Sequence, residues 1–88
     1  IGKTIEQMVP IFPKFGHHPS DLRTLLTPID FISFDGMFSK RKVDNITFIE
    51  VKTRGSSLSE LQKSVKCAID RNKVDFKVYE VPKKIRLE

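Results

Sequence analysis

Two opposite charges lie two residues apart in residues 46–53, a stretch otherwise rich in β-branched and aromatic side chains. This composition predicts a β-strand, and Glu50 and Lys52 then share one face because side chains alternate along a strand. Charges at the end of an apolar strand are costly unless they are paired or bind a ligand. A carboxylate and an ammonium held in this way can hold a metal ion and face a phosphate.

A second acid in an apolar setting is Asp30, within a predicted strand at residues 29–35. Residues 45–53 follow at hairpin distance. If the connecting loop is symmetric about Lys40, Asp30 faces Glu50, with Cβ atoms roughly 4.5–5.5 Å apart. Like charges so placed repel each other, which predicts neutralisation by Lys52, a bound cation or both. The alternative is an edge strand whose acid simply faces water.

The chemistry that this set permits is metal-assisted hydrolysis of a phosphodiester without a covalent enzyme intermediate. Asp30, Glu50 and the backbone carbonyl of Val51 supply the oxygen ligands that Mg²⁺ or Mn²⁺ prefers. A bound ion lowers the pKa of a water and offsets phosphate charge. Lys52 would orient the attacking water or stabilise the transition state.

The remaining segments predict a small α+β frame. Residues 2–9 read as a helix that stops at Pro10, residues 10–20 as a loop, and residues 21–26 as a short strand or one helical turn. Ser57 and Glu60 have capping-box spacing and predict a helix to about Arg71. Residues 74–81 alternate as another long strand. The predicted buried stripe of the second helix comprises Leu58, Leu61, Val65, Ala68 and Ile69.

Length and composition limit the class of protein. The chain has 88 residues, so we expect a single domain spanning 1–88, and its net charge of +5 favours a polyanionic partner such as nucleic acid. The single cysteine, Cys67, excludes an internal disulfide and suits a reducing compartment such as the cytoplasm. No membrane-spanning segment is visible. A helical pattern begins at Ile1 without a methionine, which indicates a trimmed N-terminus. A preceding segment, such as a membrane anchor, is therefore an open alternative.

Other polar residues have weaker interpretations. His17 and His18 are adjacent and lack a second His or Cys pair, so an ordinary loop is favoured over a metal site. Several basic side chains are candidates for contacting nucleic acid, with a solvated surface as the alternative for each. These are Arg23, Lys40, Arg41, Lys42, Arg54 and Lys63.

The order of these residues resembles a known signature. Pro28-Ile29-Asp30, twenty residues before Glu50-Val51-Lys52, is similar to the PD-(D/E)xK nuclease motif. More narrowly, the chain resembles a family of predicted endonucleases related to archaeal Holliday junction resolvases. The resemblance extends over nearly the whole chain, through residues 2–7, 20–23, 28–36, 48–53 and 58–62.

The resemblance implies a restriction-endonuclease-like α-β-β-β-α-β core, a small mixed sheet flanked by helices, with residues 21–26 as the first strand. It implies Asp30 and Glu50 as metal ligands, Lys52 as the catalytic lysine, Glu6 as an outer metal ligand and Gln62 as a helper that holds water or Lys52. It also suggests a homodimer that makes paired cuts in branched DNA. Archaeal resolvases carry a basic Ser/Gly-rich loop before the catalytic Asp, and this sequence has no clear counterpart of that loop. The resemblance therefore supports nuclease chemistry more strongly than it supports specificity for junctions.

Three hypotheses follow. The first is a metal-dependent DNA endonuclease. This hypothesis includes an enzyme that is selective for branched DNA. The second is a DNA-binding or assembly module that keeps the nuclease fold with little activity, which a site too open to hold metal would support. The third is a small basic interaction domain, which exposed Asp30 and Glu50 side chains on opposite faces would support.

Overall fold

The computed structural model describes residues 8–12 and 14–84. Its strands are β1 (Leu22–Thr24), β2 (Phe31–Asp35) and β3 (Asn45–Ile49), and its α-helices are α1 (Met37–Lys40) and α2 (Glu60–Asp70). Two 3-10 turns, Val9–Ile11 and Pro19–Asp21, precede β1. The small α+β class is confirmed. The predicted helix over residues 2–9 lies almost wholly outside the described residues, and so does Glu6.

The three strands form one antiparallel sheet in the order β1-β2-β3. Residues 21–26 therefore contribute a strand rather than a helical turn. Phe31 pairs with Ile49 and Asp35 pairs with Asn45, which confirms the predicted hairpin register. The register follows from the apolar alternation, because a slip by one residue would turn every side chain to the opposite face.

Both strands of the hairpin are shorter than predicted at the end that carries the acids. β2 begins at Phe31 rather than Ile29, and β3 ends at Ile49 rather than Thr53. Glu50 and Lys52 therefore follow β3 instead of lying within it. At this end of the hairpin, side-chain carboxylates accept hydrogen bonds from the main-chain N–H groups of Asp30 and Val51.

The turn between β2 and β3 is held by a buried carboxylate. Asp21 accepts hydrogen bonds from the main-chain N–H groups of Gly36 (3.1 Å) and Phe38 (2.8 Å). Gly36 has a φ of +98°, and a Cβ there would lie 2.6 Å from the carbonyl oxygen of Lys42. This position therefore requires glycine. The contact fastens the start of β1 to the hairpin.

Helix α2 begins two residues later than predicted. Its N-cap is Ser59, which forms a capping box with Gln62, so the assignment of Ser57 as the cap was wrong. Leu61 is 63% exposed, so its assignment to the predicted buried stripe was wrong, and the neighbouring Gln62 is half-buried instead. The half-buried apolar residues of this region are Leu58, Val65, Ala68 and Ile69, which confirms the rest of the predicted stripe.

The strand predicted over residues 74–81 is not formed. These residues run without secondary structure after the turn at Asn72, and their side chains are exposed. The alternating pattern is genuine, but a strand also requires a neighbouring backbone to pair its N–H and C=O groups.

The core formed by the described residues is very small. Among these residues, Ile29 and Phe31 are the apolar residues whose exposed fraction is below a tenth.

Candidate active site

The two predicted acids meet where the β2–β3 ladder ends. Asp30 immediately precedes β2 and Glu50 immediately follows β3, next to the pair formed by Phe31 and Ile49. The main-chain N–H of Asp30 donates to Glu50 Oε1 at 3.1 Å, and the N–H of Val51 donates to Asp30 Oδ2 at 2.8 Å. Each carboxylate is thus held by a main-chain amide and cannot swing freely into solvent.

Lys52 completes a compact charged group with these acids. Its Nζ lies 3.1 Å from Glu50 Oε2, and the Glu50 and Lys52 side chains are only 14% and 32% exposed. Partial burial strengthens this attraction relative to an ion pair in water. This ion pair agrees with the expected neutralisation by Lys52, whereas neutralisation by a bound cation stays a prediction.

Gln62 connects helix α2 to the two strand ends. Its Nε2 donates to Glu50 Oε2 and to the carbonyl of Pro28, both at 2.9 Å. Its Oε1 accepts the N–H of Ser59 at 3.0 Å in the capping box. All the polar atoms of the amide group are therefore engaged, and both Nε2 contacts require an amide rather than a carboxylate. In the structure Gln62 holds Glu50 rather than Lys52.

The donor set fits a hard divalent cation. Asp30 and Glu50 offer carboxylate oxygens, and two carboxylates with one ammonium leave a net negative charge that a cation would offset. No group of three or more His, Cys, Asp and Glu side chains that could hold a metal ion occurs among the described residues. Asp30, Glu50 and the Val51 carbonyl are the groups here that would hold such an ion. The predicted outer ligand Glu6 lies outside the described residues.

The two histidines are engaged in the loop before β1. His17 Nδ1 lies 2.8 Å from Asp35 Oδ1, and its ring meets Phe15 edge-on at 5.4 Å. His18 stacks on Phe38 at 4.4 Å. These contacts attach the loop to the sheet and support its interpretation as an ordinary loop.

Asp35 is the centre of a polar cluster that sequence reasoning missed. Ser33 Oγ donates to Asp35 Oδ1 at 2.5 Å, and Thr47 and Asn45 donate to Oδ2 at 2.7 and 3.2 Å. The Ser33 hydrogen bond, with smaller contributions from Thr47, His17 and Asn45, holds the pKa of Asp35 well below its usual range despite the opposing effect of desolvation. The sequence contains a signal for this cluster, because the predicted hairpin register places Ser33 and Asp35 on the same face of the sheet as Asn45 and Thr47.

The six candidate nucleic-acid residues are all exposed. The Arg23 guanidinium donates to the Ser20 and Leu22 carbonyls. Lys40 pairs with Asp44 at 2.6 Å, a hydrogen-bonded contact that raises the pKa of the lysine. Lys63 pairs with Glu60 at 3.2 Å. The other three are Arg41, Lys42 and Arg54.

Within residues 8–12 and 14–84, no helix has the length and apolar character needed to cross a membrane.

Searches of curated proteins and of solved structures returned no match. A family model described as "Endonuclease related to archaeal Holliday junction resolvase" matches residues 1–81. The chain therefore belongs to the family of endonucleases related to the archaeal Holliday junction resolvase.

Proposed function

We propose that the protein is a metal-dependent DNA endonuclease whose site is of the PD-(D/E)xK type. The observation that carries this proposal is the position of Asp30 and Glu50 at adjacent strand ends, with the Lys52 ammonium 3.1 Å from Glu50. Membership of an endonuclease family supports it independently.

Asp30 and Glu50 would hold Mg²⁺ or Mn²⁺ together with the Val51 carbonyl, and Glu6 would serve as the outer ligand. When bound, such an ion lowers the pKa of a water and offsets the negative charge of a phosphate. The residues of the chain have separate tasks. Lys52 orients the attacking water or stabilises the charge that develops on the phosphoryl oxygens. Gln62 keeps Glu50 in place through the 2.9 Å hydrogen bond to Oε2.

The proposed substrate is DNA, with branched DNA such as a four-way junction as the favoured form, and the proposed assembly is a homodimer. The family description supports the branched substrate. Two copies would suit paired cuts across a junction. The exposed basic residues, including Arg41, Lys42 and Arg54, are the proposed contacts to the phosphate backbone.

A substrate panel tests the proposal. Labelled four-way junction, nicked duplex, flap and single-stranded DNA are incubated with the protein in Mg²⁺, Mn²⁺ or EDTA. Glu50→Gln is compared with Glu60→Gln, which makes the same change at an exposed helix carboxylate. Cleavage that needs metal, persists in Glu60→Gln and disappears in Glu50→Gln is the expected result. Cleavage that survives in Glu50→Gln would contradict the site.

A second candidate is a nuclease-fold DNA-binding or assembly module with little activity. The observation that favours it is that Glu50 Oε2 is already contacted by both Lys52 and Gln62. A cation would have to compete with these contacts. Salt-dependent binding of DNA without cleavage of any substrate would select this module over the nuclease. The third hypothesis, solvated acids on opposite faces, is disfavoured by the contacts between Asp30 and Glu50.

A further inference from the structure

The turn between β2 and β3 carries an exposed aromatic ring. Phe38 lies in α1 and is 59% exposed, although its ring is stacked on that of His18. The two ring centroids are 4.4 Å apart and the ring planes differ by 22°. His18 therefore supports one face of Phe38, while more than half of the residue stays open to a ligand. An aromatic ring presented in this way can stack on another flat ring.

Hydrogen bonds of the main chain fix the position of this ring. The N–H of Phe38 donates to the buried carboxylate of Asp21 at 2.8 Å. The base of the turn is closed by the N–H of Asp44, which donates to the carbonyl of Asp35 at 2.8 Å. The place of Phe38 is thus set before a ligand arrives, so binding there would cost little conformational entropy.

Basic side chains follow the ring directly. Residues 36–44 contain three basic residues and one acid, which gives the turn a net charge of +2. Lys40 pairs with Asp44 at 2.6 Å, whereas among the described residues neither Arg41 nor Lys42 takes part in an ion pair. An aromatic ring beside unpaired positive charge suits a nucleic-acid strand, because bases stack on such rings while cations contact the phosphates.

We propose that Phe38, backed by His18, stacks on an unpaired nucleobase of the DNA. Arg41 and Lys42 contact the phosphates next to that base. The base comes from a branch point or from a single-stranded segment, and both sources present the same flat face. Inside a fully paired duplex, neighbouring bases cover both faces of each base, so Phe38 finds no ring to stack on. The contact therefore favours DNA that contains unpaired bases over duplex DNA.

This contact lies away from the candidate active site. Asp30 and Glu50 are at the opposite end of the β2–β3 hairpin from Phe38. The five residue steps from Asp30 to Asp35 alone cover roughly 17 Å, which is about five nucleotide steps of a DNA strand. Phe38 therefore contacts a base other than the one at the cut phosphate. The inference rests on the proposed function for its partner, DNA, but it concerns binding and not hydrolysis.

Equilibrium binding in EDTA tests the contact without cleavage. Fluorescence anisotropy gives the affinity of the chain for a single-stranded oligonucleotide, a four-way junction and a fully paired duplex. Phe38→Ala removes the ring, Phe38→Leu keeps an apolar side chain without an aromatic face, and Phe38→Trp keeps an aromatic face. Phe76→Ala makes the same change at another exposed phenylalanine and is the matched control. Urea unfolding measured on each variant shows whether it is folded.

We expect Phe38→Ala and Phe38→Leu to weaken binding to DNA with unpaired bases by about tenfold, as for loss of one base–aromatic stack. The substrate that shows the loss, junction or single strand, identifies the source of the base. Phe38→Trp and Phe76→Ala should bind as wild type does, and affinity for the duplex should not change. An equal loss on the duplex, or equal affinities of Phe38→Leu and Phe38→Trp, would overturn the stacking contact.

The phosphate contacts are tested separately with Lys42→Ala. This variant should weaken binding to all three DNAs by a similar factor and should reduce the salt dependence of binding, because a phosphate contact is insensitive to base pairing. A loss restricted to DNA with unpaired bases would contradict the role assigned to Lys42.

Photocrosslinking locates the base on the wild-type chain. 5-Iodouracil is placed at one position at a time along the single strand and around the branch point of the junction, and the complex is irradiated. Mass spectrometry should then find the crosslink on Phe38. Absence of a Phe38 crosslink from every position, with DNA bound, would refute this inference and leave the nuclease assignment standing. Failure to bind any DNA would instead contradict the proposed function itself.

Discussion

Glu50 accepts a hydrogen bond from the main-chain N–H of Asp30, 3.1 Å away across the end of the β2–β3 hairpin. Asp30 in turn accepts the N–H of Val51 at 2.8 Å. The two acids thus bind main-chain amides next to the last pair of the strand ladder, Phe31 with Ile49. Holding two like charges together in this way has a cost, which Lys52 reduces and which a bound cation would reduce further.

Removing either acid should abolish cleavage without loss of DNA binding. Asp30→Asn and Glu50→Gln each remove an anionic metal ligand, and we expect cleavage to fall by about a hundredfold or more. DNA affinity should stay the same or rise slightly, because a negative charge near the phosphates has been removed. Single-turnover cleavage and binding in EDTA measure the two quantities separately. Asp75→Asn and Glu60→Gln, at exposed positions, provide matched controls.

Replacement of Lys52 should affect chemistry rather than metal binding. In Lys52→Ala the ammonium that faces Glu50 Oε2 is lost, so we expect cleavage to fall by at least about a hundredfold. Affinity for Mn²⁺ should remain the same or increase, since Lys52 competes with the cation for Glu50. Calorimetric titration of Mn²⁺ measures this. Lys66→Ala removes an exposed lysine paired with Asp70 and should change neither quantity. A large loss of Mn²⁺ affinity in Lys52→Ala would contradict the assigned role.

The hairpin and its acids could be predicted because two signals agree there. Apolar alternation fixes the register of Phe31 against Ile49, and the loop length places Asp30 near Glu50. Sequence reasoning could not foresee that both strands stop short of the acids. At that end the Asp30 and Val51 amides donate to carboxylates from the opposite strand end, which is a tertiary contact that local strand propensity does not contain.

The helix start and the last strand illustrate two other limits. Ser57 with Glu60 and Ser59 with Gln62 both have capping-box spacing, so local sequence does not choose between them. The contacts of Gln62 with Pro28 and Glu50 favour the second pair. For residues 74–81 the sequence shows strand propensity, whereas a strand forms only when another backbone is adjacent.

Gln62 variants should separate the stability of helix α2 from the geometry of the site. Gln62→Glu keeps a residue suited to the capping box but places a second carboxylate beside Glu50 Oε2. We expect cleavage to fall sharply with helical content retained. Ser59→Ala removes the cap hydroxyl, should cost about 1 kcal/mol of unfolding free energy, and should leave the Gln62 contacts with Glu50 in place.

Urea unfolding and cleavage rates measured on both variants test this distinction. If Ser59→Ala lost as much activity as Gln62→Glu at matched stability, the effect on cleavage would arise from the helix as a whole. Gln62→Ala then serves as a third variant, since it removes the contacts to Pro28 and Glu50 without adding charge.

Asp35 should make the stability of the domain sensitive to acid. Its pKa is lowered chiefly by the Ser33 hydrogen bond, so the folded state binds a proton less readily than the unfolded state. The stabilisation is therefore complete above the unfolded pKa of roughly 4, and it is lost progressively as the pH falls below that value toward the folded pKa. Asp35→Asn removes this dependence. At neutral pH the variant should be less stable by about 1–2 kcal/mol, because charge-assisted hydrogen bonds are replaced by weaker ones.

Urea unfolding of wild type and Asp35→Asn, from roughly pH 7 to about pH 3, measures the difference in unfolding free energy. The difference should shrink as the pH falls through the acidic end of this range. Other carboxylates titrate there too, but they contribute to both proteins and largely cancel. Asp75→Asn, at an exposed position, should track wild type throughout. A difference between Asp35→Asn and wild type that does not vary with pH would show that Asp35 stabilises the sheet through packing and not through its charge.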